Sequence, residues 1–396
     1  MCSNAARMLL EKSSLGSKAI KFLQIRIAPK RACLFLAINF SVLLIAELAL
    51  RYLAEYGLFK PVQYATSGPA EHFLGDIDPD FGVWHYPNRS VTHTTPCFSA
   101  EYTSNSYGAR DRERDRDSAA QNRVVVLGDS FVEGYGVNSS DRMTDIAEQL
   151  SGAEFLNFGV SGNFGAIQQW LLYQKLASQF EHNAVAIFFL PANDFEDNEP
   201  SNFPDTRYRP YLSGGNSAEF KVVYPVAFSN REQPRPLSRG RVIRRTLYNN
   251  IYLLNLVRQF GEIVEQSEFK NDLEDIAKRQ FQIPYEAYSA LDLQRLLFAY
   301  EKIVELAQGR KVTIYITPTK ADLLSYENGL YPYAIVTALQ AFAARFVNVE
   351  VVDLLPEFIS FAQKHKLDFD EFTQKCDAHW SPLGNRVAGL VLARTV

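Results

Sequence analysis

Ser130 and His379 are the two residues of this 396-residue chain whose settings best suit acyl transfer. Ser130 closes Val124-Val-Val-Leu-Gly-Asp-Ser130, an apolar run that reads as a buried parallel strand with a small hydroxyl residue at its carboxyl end. In open α/β sheets that end is where ligands sit. A serine hydroxyl is a poor nucleophile until a neighbouring base takes its proton. Of the six histidines, His379 in Cys376-Asp-Ala-His-Trp-Ser-Pro-Leu-Gly384 has Asp377 two residues earlier, close enough to orient the imidazole and stabilise its charged form. His72, His85 and His93 lie in an earlier segment, His182 precedes an apolar run and His365 ends a helical pattern; none has a carboxylate at a comparable spacing and position. The oxyanion that forms on acyl attack needs preorganised donors. The backbone N–H groups of Ser130 and Gly162 and the side-chain amide of Asn193 would supply three. Gly162 also reads as a plain turn glycine and Asn193 as a helix cap.

Other readings of the Ser130 turn fail on spacing. A phosphate loop needs Gly-x-x-x-x-Gly-Lys, and no lysine follows Gly128 at that distance. The dinucleotide fingerprint Gly-x-Gly-x-x-Gly does not match Gly128, Gly134 and Gly136. In the nucleophile elbow Gly-x-Ser-x-Gly the second glycine is replaced by Val132. The histidines and four cysteines form no zinc pattern.

From Arg123 the pattern alternates strand and helix. Strands are expected at Val124 to Leu127, Glu154 to Phe158, Ala184 to Leu190, Val312 to Ile316 and Val349 to Val352. Helices are expected at Arg142 to Leu150, Gly165 to Phe180, Tyr285 to Gln308, Tyr331 to Phe346, Pro356 to His365 and Pro382 to Ala393. Strands separated by helices imply a parallel sheet covered on both faces. Right-handed crossovers then bring the carboxyl ends of successive strands to one edge. Ser130, Asn157-Phe-Gly-Val-Ser-Gly162 and Ala192-Asn-Asp194, which follow the first three strands, can therefore meet in one cleft. Residues 197–285 interrupt the alternation and read as an insertion above the sheet, with a helical pattern from Leu247 to Gln266. Its Arg235, Arg239, Arg241, Arg244 and Arg245 either meet an anionic lipid or polymer or begin a solvated helix. Residues 51–122 form a proline-broken lead segment, with short strands suggested by stretches such as Val91 to His93. Its closing block Arg112-Glu-Arg-Asp-Arg-Asp117 reads as a solvated face at the boundary of the main domain, residues 123–396.

Gly128-Asp-Ser130, Gly162, Ala-Asn-Asp at 192–194 and Asp-x-His at 377–379 resemble, in order, the four blocks of the SGNH (GDSL-type) hydrolases. The resemblance covers residues 123–396, with the insertion unmatched. Pro191 stands where the third block usually has glycine. The spacing Asp-x-His replaces the commoner Asp-x-x-His, and this shorter form is similar to that of the polysaccharide O-acetyltransferases and several membrane-anchored bacterial members of the superfamily. The resemblance implies a flavodoxin-like three-layer α/β/α fold, an esterase or acetyltransferase activity and no cofactor. Ser130 would be the nucleophile, His379 the base, Asp377 its orienter, and Gly162 and Asn193 parts of the oxyanion hole.

Composition is that of a globular chain, 47% hydrophobic and 22% charged, and a net charge of −4 gives no reason to expect nucleic acid. Its 28 Phe and 20 Tyr suit a large core or a carbohydrate-facing surface. Ala32 to Leu50 is a nineteen-residue run broken only by Asn39, Ser41 and Glu47. As a helix it reaches about 28 Å, roughly the hydrocarbon thickness of a bilayer. Ahead of it, in residues 1–31, lie seven lysines and arginines against the single acid Glu11. That bias predicts a cytoplasmic tail, a transmembrane anchor at 32–50 and everything after it outside the cytoplasmic membrane. A cleaved signal peptide or a buried soluble helix would use a similar run. A signal is expected to be shorter and to end in an Ala-x-Ala site, which does not follow closely.

Together these features lead us to expect a membrane-anchored enzyme that hydrolyses or transfers an acyl group on a cell-envelope glycan. A membrane-bound acyltransferase is a candidate partner. A lipase-like thioesterase or lysophospholipase is the alternative within enzymes, and an idle glycan- or partner-binding scaffold the alternative outside them. With the anchor in place, only Cys97 and Cys376 reach an oxidising compartment, where disulfides persist. A Cys97–Cys376 bridge would tie the lead segment to the loop carrying Asp377; two free thiols are the other possibility. Alkylating the unfolded protein with and without reductant decides between them. The bridged form predicts that both thiols react only after reduction.

Overall fold

The computed structural model describes residues 29–56, 58–59, 61, 73–95, 98–118, 120, 122–199, 208–228, 238–267, 284–326, 331–375 and 377–395. Cys97 and Cys376, and with them the expected bridge, lie outside the described residues. The chain divides into two compact units, Met1–Leu48 and Ala49–Val396.

The described part of the first unit belongs to helix α1 (Pro29–Glu55). Leu34–Glu55 is long and apolar enough to cross a membrane, with a mean hydropathy of 1.9 in its most apolar window. Its polar side chains fold back on the helix. Asn39 Nδ2 donates to Phe35 O at 2.7 Å and Ser41 Oγ to Ala37 O at 2.9 Å. Each so satisfies a group that hydrocarbon would leave unpaired.

The second unit is built on a five-stranded parallel sheet. Ahead of it come two small antiparallel ribbons, β1 (Leu74–Asp78) with β2 (Gly82–His85), and β3 (Ser90–Thr94) with β4 (Ser99–Thr103). Then follow β5 (Arg123–Gly128), the one-turn helix α2 (Ser130–Glu133), α3 (Met143–Ser151), β6 (Glu154–Gly159), α4 (Ala166–Lys175), β7 (Ala184–Phe189) and the short α5 (Asp194–Asp197). A hairpin of β8 (Tyr211–Ser213) and β9 (Lys221–Val223) and the helices α6 (Arg239–Asn250) and α7 (Tyr252–Ser267) occupy the long connection that follows. The chain closes with α8 (Ala290–Leu306), β10 (Lys311–Ile316), α9 (Lys320–Tyr326), α10 (Ala334–Ala343), β11 (Val349–Asp353), α11 (Leu354–His365) and α12 (Pro382–Thr395).

The sheet order is β11-β10-β7-β5-β6, all parallel. Read from the other edge this is the 2-1-3-4-5 order of a flavodoxin-like fold. Every residue of β5 and β7 is buried, as expected of central strands covered on both faces. Helices α3, α12 and α11 pack side by side, and α4 packs on α8, giving the three-layer α/β/α arrangement. Because β6 and β7 flank β5, the loops after all three strands converge around the turn that follows β5, which carries Ser130.

Three local differences from the sequence reading have physical causes. The helical pattern expected at 247–266 is two helices, because Ile251 is extended (φ −116, ψ 99). Asn250 Nδ2 bonds Thr246 O at 2.8 Å and Asn255 Nδ2 bonds Tyr248 O at 3.0 Å, so asparagine amides take backbone carbonyls there. The helix expected from Tyr285 begins at Ala290, where Ser289 and Asp292 form a reciprocal capping box. The charged block at 112–117 is solvated except for Arg114, which turns inward. It pairs with Asp111 at 2.9 Å and Glu148 at 2.9 Å and donates to Phe155 O at 3.0 Å.

The β5 and β6 ends are packed so closely that Gly159 has no room for a side chain. A Cβ there would stand 2.2 Å from Glu133 N, a backbone atom that cannot swing away. Gly159→Ala is expected to destabilise the protein by about 1–3 kcal/mol or more. Gly240→Ala, in exposed helix α6 with nothing within 4 Å, should be neutral or slightly stabilising. Thermal unfolding of the two variants in detergent reads the contrast.

Candidate active site

Strand β5 ends at Gly128, and the chain turns at once into α2. Asp129 is its N-cap, its Oδ1 accepting from Phe131 N at 2.9 Å. Ser130 is the first residue of that turn and is 8% exposed. His379 arrives from the far end of the chain. Its Nε2 lies 2.7 Å from Ser130 Oγ, its Nδ1 is hydrogen-bonded to Asp377 Oδ1, and its backbone N–H donates to the same oxygen at 2.9 Å. Burial pushes the Asp377 carboxyl up, but the imidazole contacts outweigh it and hold the group below its ordinary range. Asp377 is thus kept ionised to face an imidazole N–H.

The loop that carries this pair is a tight turn. Thr373 and Trp380 form an isolated antiparallel bridge, Gln374 N donates to His379 O at 2.9 Å, and Gln374 Nε2 reaches Gly136 O at 3.3 Å. Trp380 is buried between Phe131, edge-on at 5.0 Å, and Phe358, stacked at 5.1 Å. The His379 ring lies between two rings of the Ser130 segment, Tyr135 at 4.3 Å and Phe131 at 5.0 Å. The residues that follow Ser130 therefore also fix the plane of the imidazole.

Gly162 and Asn193 stand where the strand order puts them, in the loops after β6 and β7. Gly162 has φ +98, a conformation that favours glycine. Asn193 is joined to the Ser130 turn, its Nδ2 donating to Asp129 Oδ2 at 3.3 Å. Burial raises Asp129 to about 6, against the opposing effects of Phe131 N–H, His379 and Asn193. Burial, followed by the charge of Asp129, pushes Asp194 well above the carboxylate range. Asp194 Oδ2 meanwhile accepts from Leu190 N at 2.9 Å and holds the loop of Asn193 closed.

Three residues that support this arrangement carried no sequence signal of their own: Arg110, His85 and Glu133. Arg110, fully buried, donates to Glu133 O at 2.8 Å, Gly134 O at 2.6 Å and Val137 O at 2.6 Å, and lies 3.5 Å over the Tyr102 ring. Glu133, also fully buried, accepts the backbone N–H of Ser161 beside Gly162 and faces His85 Nε2 at 3.4 Å. Burial alone would raise the Glu133 carboxyl. His85, Arg110 and the Ser161 amide reverse that and hold it at about 2. The lead segment is thus built into the floor of the site. The only hints were a glutamate inside the run after Ser130 and an arginine two residues after the glycine of Tyr107-Gly-Ala-Arg-Asp111.

No family model matches the chain, and no curated protein does. Solved structures align with it at low identity. A G-D-S-L family protein described as lipolytic, from Desulfitobacterium hafniense, aligns over 70% of this chain and 100% of its own at 13% identity and a TM-score of 0.37. A lipase/acylhydrolase from Enterococcus faecalis aligns over 69% and 95% at 14% identity and a TM-score of 0.36. A carbohydrate esterase family 2 enzyme from Myceliophthora fergusii aligns over 71% and 67% at 13% identity and a TM-score of 0.35. These neighbours are lipolytic proteins and esterases. At such identities and scores function has to be argued from the site itself.

Glu133→Gln keeps the shape of the brace and removes its charge. We expect kcat toward a small aryl ester to fall by roughly 10²-fold, the scale of a misplaced reacting geometry, with KM little changed. Because the folded pKa lies below the ordinary 4.5, Glu133 contributes stability that is fully present above about pH 4.5 and lost as pH falls toward 2. The stability gap between native protein and variant should therefore narrow over that window. A gap independent of pH from 5 to 2.5 would contradict the role given to this carboxylate.

Proposed function

We propose that this chain is a membrane-anchored serine ester hydrolase of the SGNH type. The observation that carries the reading is the continuous path from Asp377 through His379 to Ser130, with 2.7 Å between Nε2 and Oγ. Ser130 Oγ attacks the ester carbonyl as its proton passes to His379 Nε2, while Nδ1–H donates to Asp377. The carbonyl oxygen becomes an oxyanion, for which the backbone N–H groups of Ser130 and Gly162 and the Asn193 amide are the donors. An amide carries two N–H bonds. With one on Asp129, Asn193 keeps a second for the substrate.

Collapse of the tetrahedral intermediate breaks the bond to the alcohol oxygen, and His379 returns the proton to that leaving group. The acyl-Ser130 ester is then attacked by water, or by an acceptor hydroxyl, again with His379 as base. Water makes the enzyme an esterase; a sugar hydroxyl makes it an acyltransferase. The span at 32–50, the basic tail before it and the Asp-x-His spacing support an O-acetylated envelope glycan as the substrate, met outside the cytoplasmic membrane.

A serine-directed fluorophosphonate should label the native protein and not Ser130→Ala, which should also lose roughly 10⁶-fold in kcat. Asp377→Asn should keep the fold and lose up to roughly 10⁴-fold. Asn193→Ala should lose roughly 10²- to 10³-fold. Full esterase activity in purified Ser130→Ala would end the assignment.

A further inference from the structure

Helices α6 and α7 supply none of the residues of the site described above and carry a surface that the ester hydrolysis does not use. Val257 is 64% exposed, Ile243 60% and Phe260 59%, with Leu247 and Leu254 also open to solvent. Exposed apolar side chains concentrated on neighbouring elements mark an interaction site. The two helices contain Arg239, Arg241, Arg244, Arg245 and Arg258, against Glu262 and Glu265 in the last turns of α7. Apolar and basic residues combined on helices are the pattern of elements that lie in a membrane interface, apolar groups among the acyl chains and cations among the headgroups.

A second observation says which occupant fits. The junction of the two helices is held by the residues that directly follow the apolar run ending at Leu50. The Arg51 guanidinium donates to Asn250 O and lies 5.0 Å over the Tyr252 ring, which is also 6.0 Å from Phe59. Beside Arg51, the exposed rings of Tyr52 and Tyr56 lie 4.7 Å apart. Tyrosines at the end of a membrane span sit at headgroup level. The arginine-bearing helices are therefore tied to the stretch of chain expected to leave the bilayer. A second copy of the chain fits worse, since it would bring two such groups of five arginines together.

We propose that α6 and α7 form a docking surface for an anionic bilayer, with Ile243, Leu247, Val257 and Phe260 in the interface and the arginines on lipid phosphates. The proposal rests on the reading of α1 as a membrane span. It adds a second membrane contact to the anchor, one that depends on lipid charge.

The test uses the full chain in nanodiscs, with a solvatochromic amino acid in place of Val257. In discs containing phosphatidylglycerol, nitroxide-bearing lipids should quench the probe and aqueous iodide should not. In all-phosphatidylcholine discs, or with Arg241→Glu/Arg244→Glu in anionic discs, lipid quenching should fall at least about fivefold, the scale of one charge near an anionic surface. Hydrolysis of a soluble ester should be unchanged in that variant, which shows that it is folded. Iodide quenching in anionic discs equal to that in detergent overturns the proposal. So does shielding that grows with protein concentration in lipid-free detergent, the mark of a second copy. Release of the chain from membranes by alkaline carbonate would instead remove the anchor reading. A chain that resists carbonate but keeps position 257 in water removes the docking surface alone.

Discussion

A helix of one turn cannot satisfy its own backbone, and Ser130 is placed at the start of such a turn. Ser130 O accepts from Gly134 N and Tyr135 N, but the carbonyls of Val132 and Glu133 draw on outside donors, and Gly134 O has an outside donor beside the local Val137 N. Asn157 Nδ2 takes Val132 O at 2.6 Å, and the buried Arg110 takes the other two. Much of the rest follows from this constraint. Arg110 must come from outside the sheet, so the lead segment is recruited to the site. Burying a guanidinium requires compensation, which Tyr102, the carbonyls and the nearby Glu133 supply. Glu133, once buried, has an acceptor left for the Ser161 amide, and so the turn of Ser130 and the loop of Gly162 are set by one network.

On the other side of β5 the same economy uses carboxylates. Asp129 caps the Ser130 turn with one oxygen and receives Asn193 with the other. Asp194 next door closes its own loop through Leu190 N. Both carboxyls are lifted by burial, Asp194 well above the carboxylate range and Asp129 to about 6, where the Phe131 N–H, His379 and Asn193 still favour its charged form. Asp377 is instead held below its ordinary range, on the side of the His379 imidazole away from Ser130.

The parts of the fold most legible in the sequence were those written in periodicity. Buried strands such as Val124 to Leu127 and Ala184 to Leu190 announce themselves as unbroken apolar runs, and their order with intervening helices implies a parallel sheet. Ser130, Gly162, Asn193, Asp377 and His379 were legible because each follows a strand or precedes a closing helix, and the topology explains their convergence. Arg110, His85 and Glu133 were not. Their partners are backbone carbonyls and amides far away in sequence, and such contacts impose no repeat and no composition. Arg114 illustrates the same limit. Within a run of alternating charge nothing marks the one arginine that folds inward onto Asp111 and Glu148. The break at Ile251 was hidden for a related reason, since asparagine amides that capture carbonyls leave the hydrophobic pattern intact.

Everything between Phe189 and Lys311 is a single crossover from β7 to β10, and it leaves the sheet at the edge where Ser130 stands. From it the site takes the loop of Asn193 and Asp194, and the core takes Phe195, Leu212, Tyr285 and the helix α8 that packs on α4. The exposed helices α6 and α7 supply none of these residues, so that part can lengthen, shorten or be exchanged with the strand register and the Ser130–His379 pair kept. Such a crossover behaves as an interchangeable part. Two chains with the same catalytic centre and unrelated crossovers would share a chemistry while differing in what they can reach, and selection on one would leave the other almost untouched.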